Sequence, residues 1–222
     1  MKLTDEVGVQ FNAKPNGVQI QNAVKPEGNQ TTYVWDGRGN STQETLIPKA
    51  GSPLAQVNSY ANYDTTCTNQ FTCNKPNWIK DGLGNQTDYT YDPTHGGMLT
   101  KTLPADANGI RPQTRYTYAQ RSAWVKNSSG AYAQSAPIWV LATESFCRTT
   151  AAATPPATGC TTAGDEVVTT YEYGPDSGPN NLFLRGVAVT ADGVTHRTCY
   201  GYDRFGNKIS ETQPAAALTS CP

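Results

Sequence analysis

The sequence repeats a short aromatic motif, in which two aromatic residues are separated by one residue and are often followed by Asp and a Gly-Asn turn. Five clear copies begin at residues 33, 89, 116, 171 and 200, so successive copies are 56, 27, 55 and 29 residues apart. A period of about 28 residues, skipped twice, accounts for this spacing. Internal repetition restricts the chain to an architecture of similar units placed side by side.

The two skipped positions predict degenerate copies near residues 60 and 144. The segment 60–64 has two tyrosines followed by Asp and fits the first position. The segment 139–146 is apolar and typical of a strand, but it has no tyrosine. We therefore predict seven units, of which five are clear and two are weak.

Each unit is predicted to be a β-hairpin followed by a connecting loop. Residues i and i+2 of a strand point to the same face, so each aromatic pair forms one stripe. Asp then favours a turn, because its carboxylate binds backbone N–H groups ahead of it, and Gly and Asn tolerate positive φ. The sequence Asp-x-x-Gly-Asn occurs at 36–40, 81–85 and 203–207. The motif residues with a predicted structural role are Tyr33, Trp35, Asp36, Gly39, Tyr89, Tyr91, Asp92, Tyr116, Tyr118, Tyr171, Tyr173, Tyr200, Tyr202, Asp203 and Gly206.

Composition favours an all-β fold. Hydrophobic residues make up 36% of the chain and charged residues 16%, and Thr, Asn, Gln, Ser, Gly and Pro fill much of the rest. These residues are typical of strands, turns and loops, and no long stretch has apolar residues at helical spacing. We predict an all-β fold in which consecutive antiparallel hairpins form an extended, curved sheet. The predicted organisation is an N-terminal segment at 1–30, a repeat region at 31–214 with a divergent stretch at 119–165, and a tail at 215–222.

Six cysteines bear on the compartment in which the protein folds. Six cysteines allow 15 pairings, and sequence alone does not choose among them. The simplest pairing is local, because each bridge would then close a loop poor in apolar side chains. This pairing joins Cys67 to Cys73, Cys147 to Cys160 and Cys199 to Cys221. Disulfides predict an oxidising compartment, and the alternative is free or buried thiols in a cytosolic chain.

Charge and hydropathy exclude several functional classes. The net charge is -1 and the 17 basic residues are scattered, so the chain has no basic footprint for nucleic acid. No apolar run is long enough to predict a membrane span. Residues 1–7 have no apolar core of a signal peptide. Since the disulfides predict an exported protein, we expect this sequence to be a fragment whose export signal lies elsewhere.

The repeated motif resembles the RHS or YD-repeat proteins. The best match runs from Asp192-Gly193 through Tyr200-Gly201-Tyr202-Asp203-Arg204-Phe205-Gly206-Asn207-Lys208-Ile209, and the segment 82–99 is nearly as good. The resemblance covers 31–64, 80–118 and 168–214. It implies a β-sheet ribbon that spirals into a hollow shell. In bacterial polymorphic toxins and insecticidal toxin complexes such a shell encloses a toxic domain, and teneurin adhesion proteins have a related shell.

Two features depart from that family. Its shells run to many hundreds of residues, so seven units would form only part of one turn. Its self-cleaving end has an Asp-Pro-x-Gly core with acidic partners. The sole Asp-Pro here, Asp92-Pro93, lies in a repeat turn, so self-cleavage is not implied.

Candidate catalytic and metal-binding residues are few. The two histidines are His95, which we expect to be solvent-exposed in a turn, and His196, three residues before Cys199. That odd spacing places His196 and Cys199 on opposite faces of a strand, which disfavours a catalytic or zinc-binding pair. The segment 106–109 resembles part of a calcium loop, but it lacks the remaining ligands and is predicted to be a plain turn. The sequence predicts no catalytic residue, no metal site and no cofactor.

Exposed aromatic residues are the one binding feature that the sequence offers. Twelve Tyr and four Trp on a polar β-surface are typical of faces that stack on sugars, and Trp35 and Trp124 are the candidate stacking residues. The alternative is that these rings pack between neighbouring strands.

The sequence therefore predicts a non-enzymatic structural module of an exported bacterial protein, either secreted or at the cell surface. Its expected partners are other YD-repeat segments of the same protein or assembly, together with an enclosed toxin domain or surface glycans. The alternative is an adhesion or carbohydrate-binding module, and the third is a glycoside hydrolase or other hydrolase.

Overall fold

The computed structural model describes residues 2–4, 8–13, 19–154, 159–214 and 218–221. This part of the chain contains β-strands, turns and loops, with no α-helix. The predicted all-β class is therefore confirmed. The predicted N-terminal segment, the loop of the second disulfide and the C-terminal tail each include residues outside the described ranges, namely 1, 5–7, 14–18, 155–158, 215–217 and 222.

The chain divides into two compact units, 1–96 and 97–222. In the first unit each strand pairs in antiparallel fashion with the next along the chain. Its strands are β1 (Lys2–Thr4), β2 (Gln10–Ala13), β3 (Ile20–Val24), β4 (Gln30–Trp35), β5 (Ser41–Ile47), β6 (Val57–Asn62), β7 (Trp78–Lys80) and β8 (Gln86–Tyr91).

The second unit follows the same rule, with each strand antiparallel to its sequence neighbour. Its strands are β9 (Met98–Thr102), β10 (Gln113–Lys126), β11 (Tyr132–Cys147), β12 (Glu166–Tyr173), β13 (Leu184–Ala191), β14 (Val194–Tyr202) and β15 (Lys208–Glu211). The long hairpin β10–β11 occupies much of the divergent stretch, where the sequence predicts only one weak unit.

We call the paired strands of the first unit the first sheet and those of the second unit the second sheet. The two faces of the first sheet differ in chemistry because side chains alternate along each strand. A polar row crosses five strands on one face, since each member is directly opposite the next. Its members are Asn12, Asn22, Thr32, Thr45 and Asn58. Asn12 Nδ2 donates to Asn22 Oδ1 at 2.7 Å, and Thr45 Oγ1 donates to Asn58 Oδ1 at 2.7 Å. The opposite face holds the predicted aromatic stripe.

The second sheet also has two unlike faces. Tyr116 lies opposite Glu144, and Glu144 opposite Thr169, so Tyr171 falls on the same face. Tyr171 donates its hydroxyl hydrogen to Glu144 Oε2 at 3.2 Å. The other face collects ionic and disulfide groups from four strands, namely Arg115, Cys147, Glu166, Glu172, Arg197 and Cys199.

Few side chains in the described residues are enclosed on all sides. The buried apolar residues are Ala13, Cys73, Ala188, Cys199 and Cys221. Three of the five are half-cystines, so disulfides occupy places that aliphatic side chains fill in a larger core. Hydrogen bonds, bridges and ion pairs within each sheet are therefore expected to contribute an unusually large share of its specific stabilisation.

All six cysteines are paired, and the pairing is the predicted local one. The bridges join Cys67 to Cys73, Cys147 to Cys160 and Cys199 to Cys221. Three disulfides in a chain of this size are typical of an extracellular or otherwise oxidising compartment. The described residues also contain no helix of the length and apolarity that a membrane crossing requires.

Candidate functional site

The second aromatic residue of every clear pair donates a hydrogen bond to a backbone carbonyl near or in the preceding strand. We call these contacts the aromatic latches. The donor and acceptor residues are Trp35 and Ile20, Tyr91 and Pro76, Tyr118 and Met98, Tyr173 and Leu141, and Tyr202 and Leu184. The donor–acceptor distances are between 2.8 and 3.0 Å. Four of the five donors are tyrosine hydroxyls, which are therefore bonded to the backbone of the sheet.

A β-bulge accompanies four of the five latches. The register of the pairing with the following strand shifts immediately before Trp35, Tyr118, Tyr173 and Tyr202. A bulge bends its strand and re-aims the next side chain. In all four cases the extra residue lies in the following strand, so the second ring of the pair is placed at the point where the ladder with that strand is locally interrupted.

In the two clear pairs of the first unit the rings also pack against each other. The ring centroids of Tyr33 and Trp35 are 5.9 Å apart, and those of Tyr89 and Tyr91 are 6.5 Å apart. Burial raises the pKa of Tyr91 to about 12, and the neighbouring hydroxyl of Tyr89 adds to the effect. These two pairs are therefore part of the framework of the first unit.

A spectroscopic titration is expected to show Tyr91 ionising late. A tyrosine whose folded pKa is raised contributes stability below its ordinary pKa of 10.0, and this stability is lost as the pH rises toward 12. Tyrosinate absorbance should therefore contain a component near pH 12 that Tyr91→Phe removes. The control Tyr132→Phe, at an exposed ring in the second unit, should retain it. An unchanged titration curve in Tyr91→Phe would contradict the assignment.

Five turns between neighbouring strands share one pattern of hydrogen bonds to an Asp or Asn side chain. In the turn 36–40, Asp36 Oδ1 accepts from the backbone N–H groups of Arg38 and Asn40 at 2.9 Å, while Asn40 Nδ2 donates to Asp36 Oδ2 at 2.8 Å. The turns at 81–85 and 203–207 repeat all three contacts, which confirms their prediction. The turns at 106–110 and 127–131 repeat the two backbone contacts. The segment that resembles a calcium loop is thus such a turn.

An arginine holds the loop of the first disulfide against the first sheet. Arg38 Nη1 donates to the carbonyl of Thr65 at 3.2 Å, and its Nη2 donates to the carbonyls of Asp64 and Cys73. Cys73 is fully buried and its partner Cys67 is exposed. The guanidinium therefore satisfies carbonyls at both ends of the stapled segment.

A second arginine holds the loop of the second disulfide. Arg115 Nη1 donates to the carbonyl of Gly159, and its Nη2 lies 2.7 Å from Glu166 Oε1. The same Nη2 lies 3.8 Å from the sulfur of Cys147 and 3.9 Å from that of Cys160. The bridge is thus in direct contact with the charged group that binds its loop.

Two arginines hold the segment closed by the third disulfide. Arg197 forms a bidentate pair with Glu172 at 2.8 to 3.1 Å and donates to the carbonyl of Leu218 at 2.7 Å. Arg185 donates to the carbonyl of Cys221 at 2.6 Å. Each of the three disulfide loops is therefore fixed to its sheet by arginine bonds to backbone carbonyls. Such charge-assisted bonds are stronger than neutral ones.

Asp165 organises the start of the second disulfide loop. Its carboxylate accepts hydrogen bonds from the backbone N–H and the side-chain hydroxyl of both Thr149 and Thr150, at 2.5 to 3.2 Å. The hydroxyl of Thr150, followed by the other donors, lowers the pKa of Asp165 to about 2. The side chain has little exposure and four donors around it.

Acid is expected to loosen this loop in a narrow pH window. Because the folded pKa of Asp165 is depressed, its contribution to stability is present above the ordinary value of 3.8 and is lost as the pH falls to about 2. Asp165→Asn should be less stable than the wild type at neutral pH and should lose less stability across this window. Thermal unfolding at several pH values measures both. Asp176→Asn, at an exposed carboxylate, is the control, and identical acid profiles for Asp165→Asn and wild type would contradict the role.

The loop 174–183 between β12 and β13 is anchored in opposite directions by two adjacent asparagines. Asn181 is buried; its Nδ2 donates to the carbonyl of Ser122 at 2.6 Å, and its Oδ1 accepts from the backbone N–H of Trp124 at 3.2 Å. Asn180, at a positive φ of 61°, donates to the carbonyl of Asp203 at 2.7 Å. Arg121 Nη2 adds bonds to carbonyls of the same loop.

The candidate sugar-stacking residues are both half-buried. Trp35 lies in the first unit, where its indole N–H is engaged in a latch. Trp124 lies in the second unit, where its backbone N–H binds Asn181. The Trp35 side chain thus has a framework role, and sugar stacking by Trp35 or Trp124 stays a prediction.

The two histidines lie in different units. The His95 side chain is 9% exposed and its Nε2 lies 3.5 Å from Asp92 Oδ1, so the expectation of an exposed His95 is wrong. His196 is exposed opposite Val189, whereas Cys199 is bonded to Cys221 on the other face. The predicted separation of His196 and Cys199 onto opposite faces is confirmed.

One group of potential metal ligands occurs in the described residues, formed by Cys147, Cys160 and Asp165. The two sulfur atoms form a disulfide and the carboxylate binds four donors of the threonines. In this oxidised state the group is a structural one.

Several residues that hold the framework together are not predicted from the sequence. They are Arg38, Arg115, Arg121, Asp165, Asn180, Asn181, Arg185 and Arg197. Their partners are mostly brought together by strand pairing; for example, Arg115 and Gly159 are 44 residues apart. The Asn-Asn pair followed by Leu and Phe is the one local signal, because asparagine tolerates positive φ.

The comparisons with known proteins do not assign this chain to a family. No protein-family model matches the sequence, and no curated protein matches it. Among solved structures, the chain is similar to a porin-like protein from Bacteroides uniformis, at 14% identity and a TM-score of 0.34. The match covers 92% of this chain, which spans 59% of the porin-like chain.

Proposed function

We propose that the chain is a non-enzymatic structural module of an exported bacterial YD-repeat protein. In this proposal its hairpins of about 28 residues belong to an extended, curved sheet, which forms part of a shell wall or of a surface scaffold. Its partners are other YD-repeat segments, and an enclosed toxin domain is the cargo where the sheet forms a shell.

The recurrence of the aromatic latch is the observation that carries the proposal. The second ring of each pair donates a hydrogen bond from its N–H or O–H group to a backbone carbonyl. Most pairs also have the same kind of bulge beside them. The residues that the sequence repeats most conspicuously are therefore engaged in joining one strand to the preceding one. Selection for sheet architecture explains such repetition more simply than selection for a reaction.

The stapled loops support the assignment to an exported protein. Three disulfides persist in oxidising compartments and are rare in the cytosol of most organisms. Hydrogen bonds from arginines to the backbone carbonyls of the disulfide loops add to the stabilisation that the disulfides provide. A wall exposed to solvent on one or both faces benefits from such cross-links, because its core is thin.

Cryo-electron microscopy of the protein expressed from its full reading frame tests the proposal. The expected map shows further hairpins paired edge to edge with this segment, in a curved wall around an internal volume or in a surface-attached scaffold. A map in which this segment is an isolated domain, with no sheet continuing from it, would overturn the structural role. A catalytic cleft in this segment that binds and turns over a substrate would overturn the non-enzymatic part.

A further inference from the structure

Two grooves of the second unit lie on either side of the loop 174–183. One has a volume of about 520 Å³ and is lined by residues that include Gln120, Arg121, Gln134 and Asp176. The other has a volume of about 420 Å³ and is lined by residues that include Phe183 and Tyr200. The grooves adjoin because consecutive residues of the loop, 175 with 176 and 180 with 181, line different grooves.

The loop that separates the grooves is fixed in place. Asn181 ties it to β10, and Asn180 ties it to the turn 203–207. Gly206, at a φ of +86°, lets the Phe183 ring approach that turn, since a Cβ there would lie 2.8 Å from the ring. A site formed by a fixed loop is largely preorganised, which reduces the entropic cost of binding.

The first groove offers uncharged hydrogen-bonding groups. Gln120 and Gln134 are exposed amides, and an amide presents both a donor and an acceptor side. The one cation, Arg121, lies 3.5 Å from the exposed carboxylate of Asp176, so the opposing charges of this groove compensate. The lining therefore suits a neutral ligand rich in hydroxyl groups better than a polyanion.

The second groove offers aromatic surface. The Phe183 side chain is exposed and packs against Tyr202, with ring centroids 5.1 Å apart at an interplanar angle of 58°. Tyr200 and two prolines complete this apolar wall. An exposed ring in a groove can pack against the C–H face of a pyranose, while its neighbours exclude water.

We infer that the two grooves together bind a neutral oligosaccharide, which crosses the loop 174–183. One sugar packs on Phe183 in the aromatic groove, and the next hydrogen-bonds to Gln134 and Asp176 in the polar groove. This binding function goes beyond the proposed structural role. It places the sugar in these grooves and not on Trp35 or Trp124.

Isothermal titration with linear hexasaccharides of glucose, xylose, mannose and N-acetylglucosamine tests the inference on the intact chain. At least one is expected to bind with a Kd below about 1 mM, as for a weak ligand in an open site. Phe183→Ala and Gln134→Ala should each weaken that binding about tenfold. Gln134 is exposed, so its variant tests the site even if Phe183→Ala perturbs the fold.

Phe205→Ala is the matched control, because Phe205 is an exposed ring that lines neither groove. Its affinity for the sugar should equal that of the wild type. Absence of binding to all four hexasaccharides would overturn the inference. Binding that survives both groove substitutions, with the fold intact by circular dichroism, would overturn it equally, and neither result bears on the structural role.

Discussion

Replacing the buried Asn181 by alanine is expected to destabilise the second unit by about 2–4 kcal/mol, because two part-buried backbone groups lose their partners at once. The carbonyl of Ser122 loses its donor, and the N–H of Trp124 loses its acceptor. Both groups lie at the register shift of the hairpin β10–β11, where cross-strand bonds are interrupted. The loop 174–183 then also loses its attachment to β10.

Chemical denaturation of the variant and the wild type measures the loss, and amide hydrogen exchange locates it. Asn181→Asp is the informative partner variant, because it retains the acceptor for Trp124 but removes the donor to Ser122. The Trp124 amide should exchange faster in Asn181→Ala and remain protected in Asn181→Asp. Asn108→Ala, at an exposed turn residue, is the control. A loss no larger than that of the control would show that Asn181 does not anchor the loop.

Removing the third disulfide with the double substitution Cys199→Ala and Cys221→Ala is expected to cost about 3.4 kcal/mol, from the chain entropy of the loop alone. The bridge spans 22 residues and both half-cystines are buried. The segment that it closes is also bound by Arg185 and Arg197, so loss of the bridge is expected to weaken these carbonyl contacts too.

The first disulfide provides the comparison. Its sequence separation is 6, so Cys67→Ala with Cys73→Ala is expected to cost about 2.2 kcal/mol on the same entropic basis. Unfolding free energies of the two double variants, each relative to wild type, measure the difference of about 1 kcal/mol. Equal costs, or a larger cost for the shorter loop, would contradict the expected order.

Sequence predicts the local parts of this fold well because their physics is local. The turn at 203–207 depends on the Asp203 carboxylate and on a glycine with positive φ, and both are visible in five consecutive residues. The aromatic stripe depends only on strand alternation. The disulfide pairing follows because each bridge closes a short loop.

The contacts between distant segments are not predictable in this way. Arg115 reaches Gly159 only because β10, β11 and β12 are in a particular register. Four of the five latches coincide with a bulge, and a bulge adds one residue to a strand without a distinctive sequence. The long hairpin β10–β11 is also missed in part, since its strands contain few motif tyrosines. The two grooves depend on all of these features, so no local pattern indicates them.

The aromatic latches carry the proposed structural role, and a pair of substitutions in each unit tests them most directly. In native-state hydrogen exchange, Tyr91→Phe and Tyr202→Phe should each lower the unfolding free energy of their unit by about 1 kcal/mol, because each loses one hydrogen bond to a backbone carbonyl. Tyr89→Phe and Tyr200→Phe, at the first ring of the same pairs, should have a much smaller effect. Equal effects at the first and second rings would contradict the claim that the repeated motif exists to latch neighbouring strands.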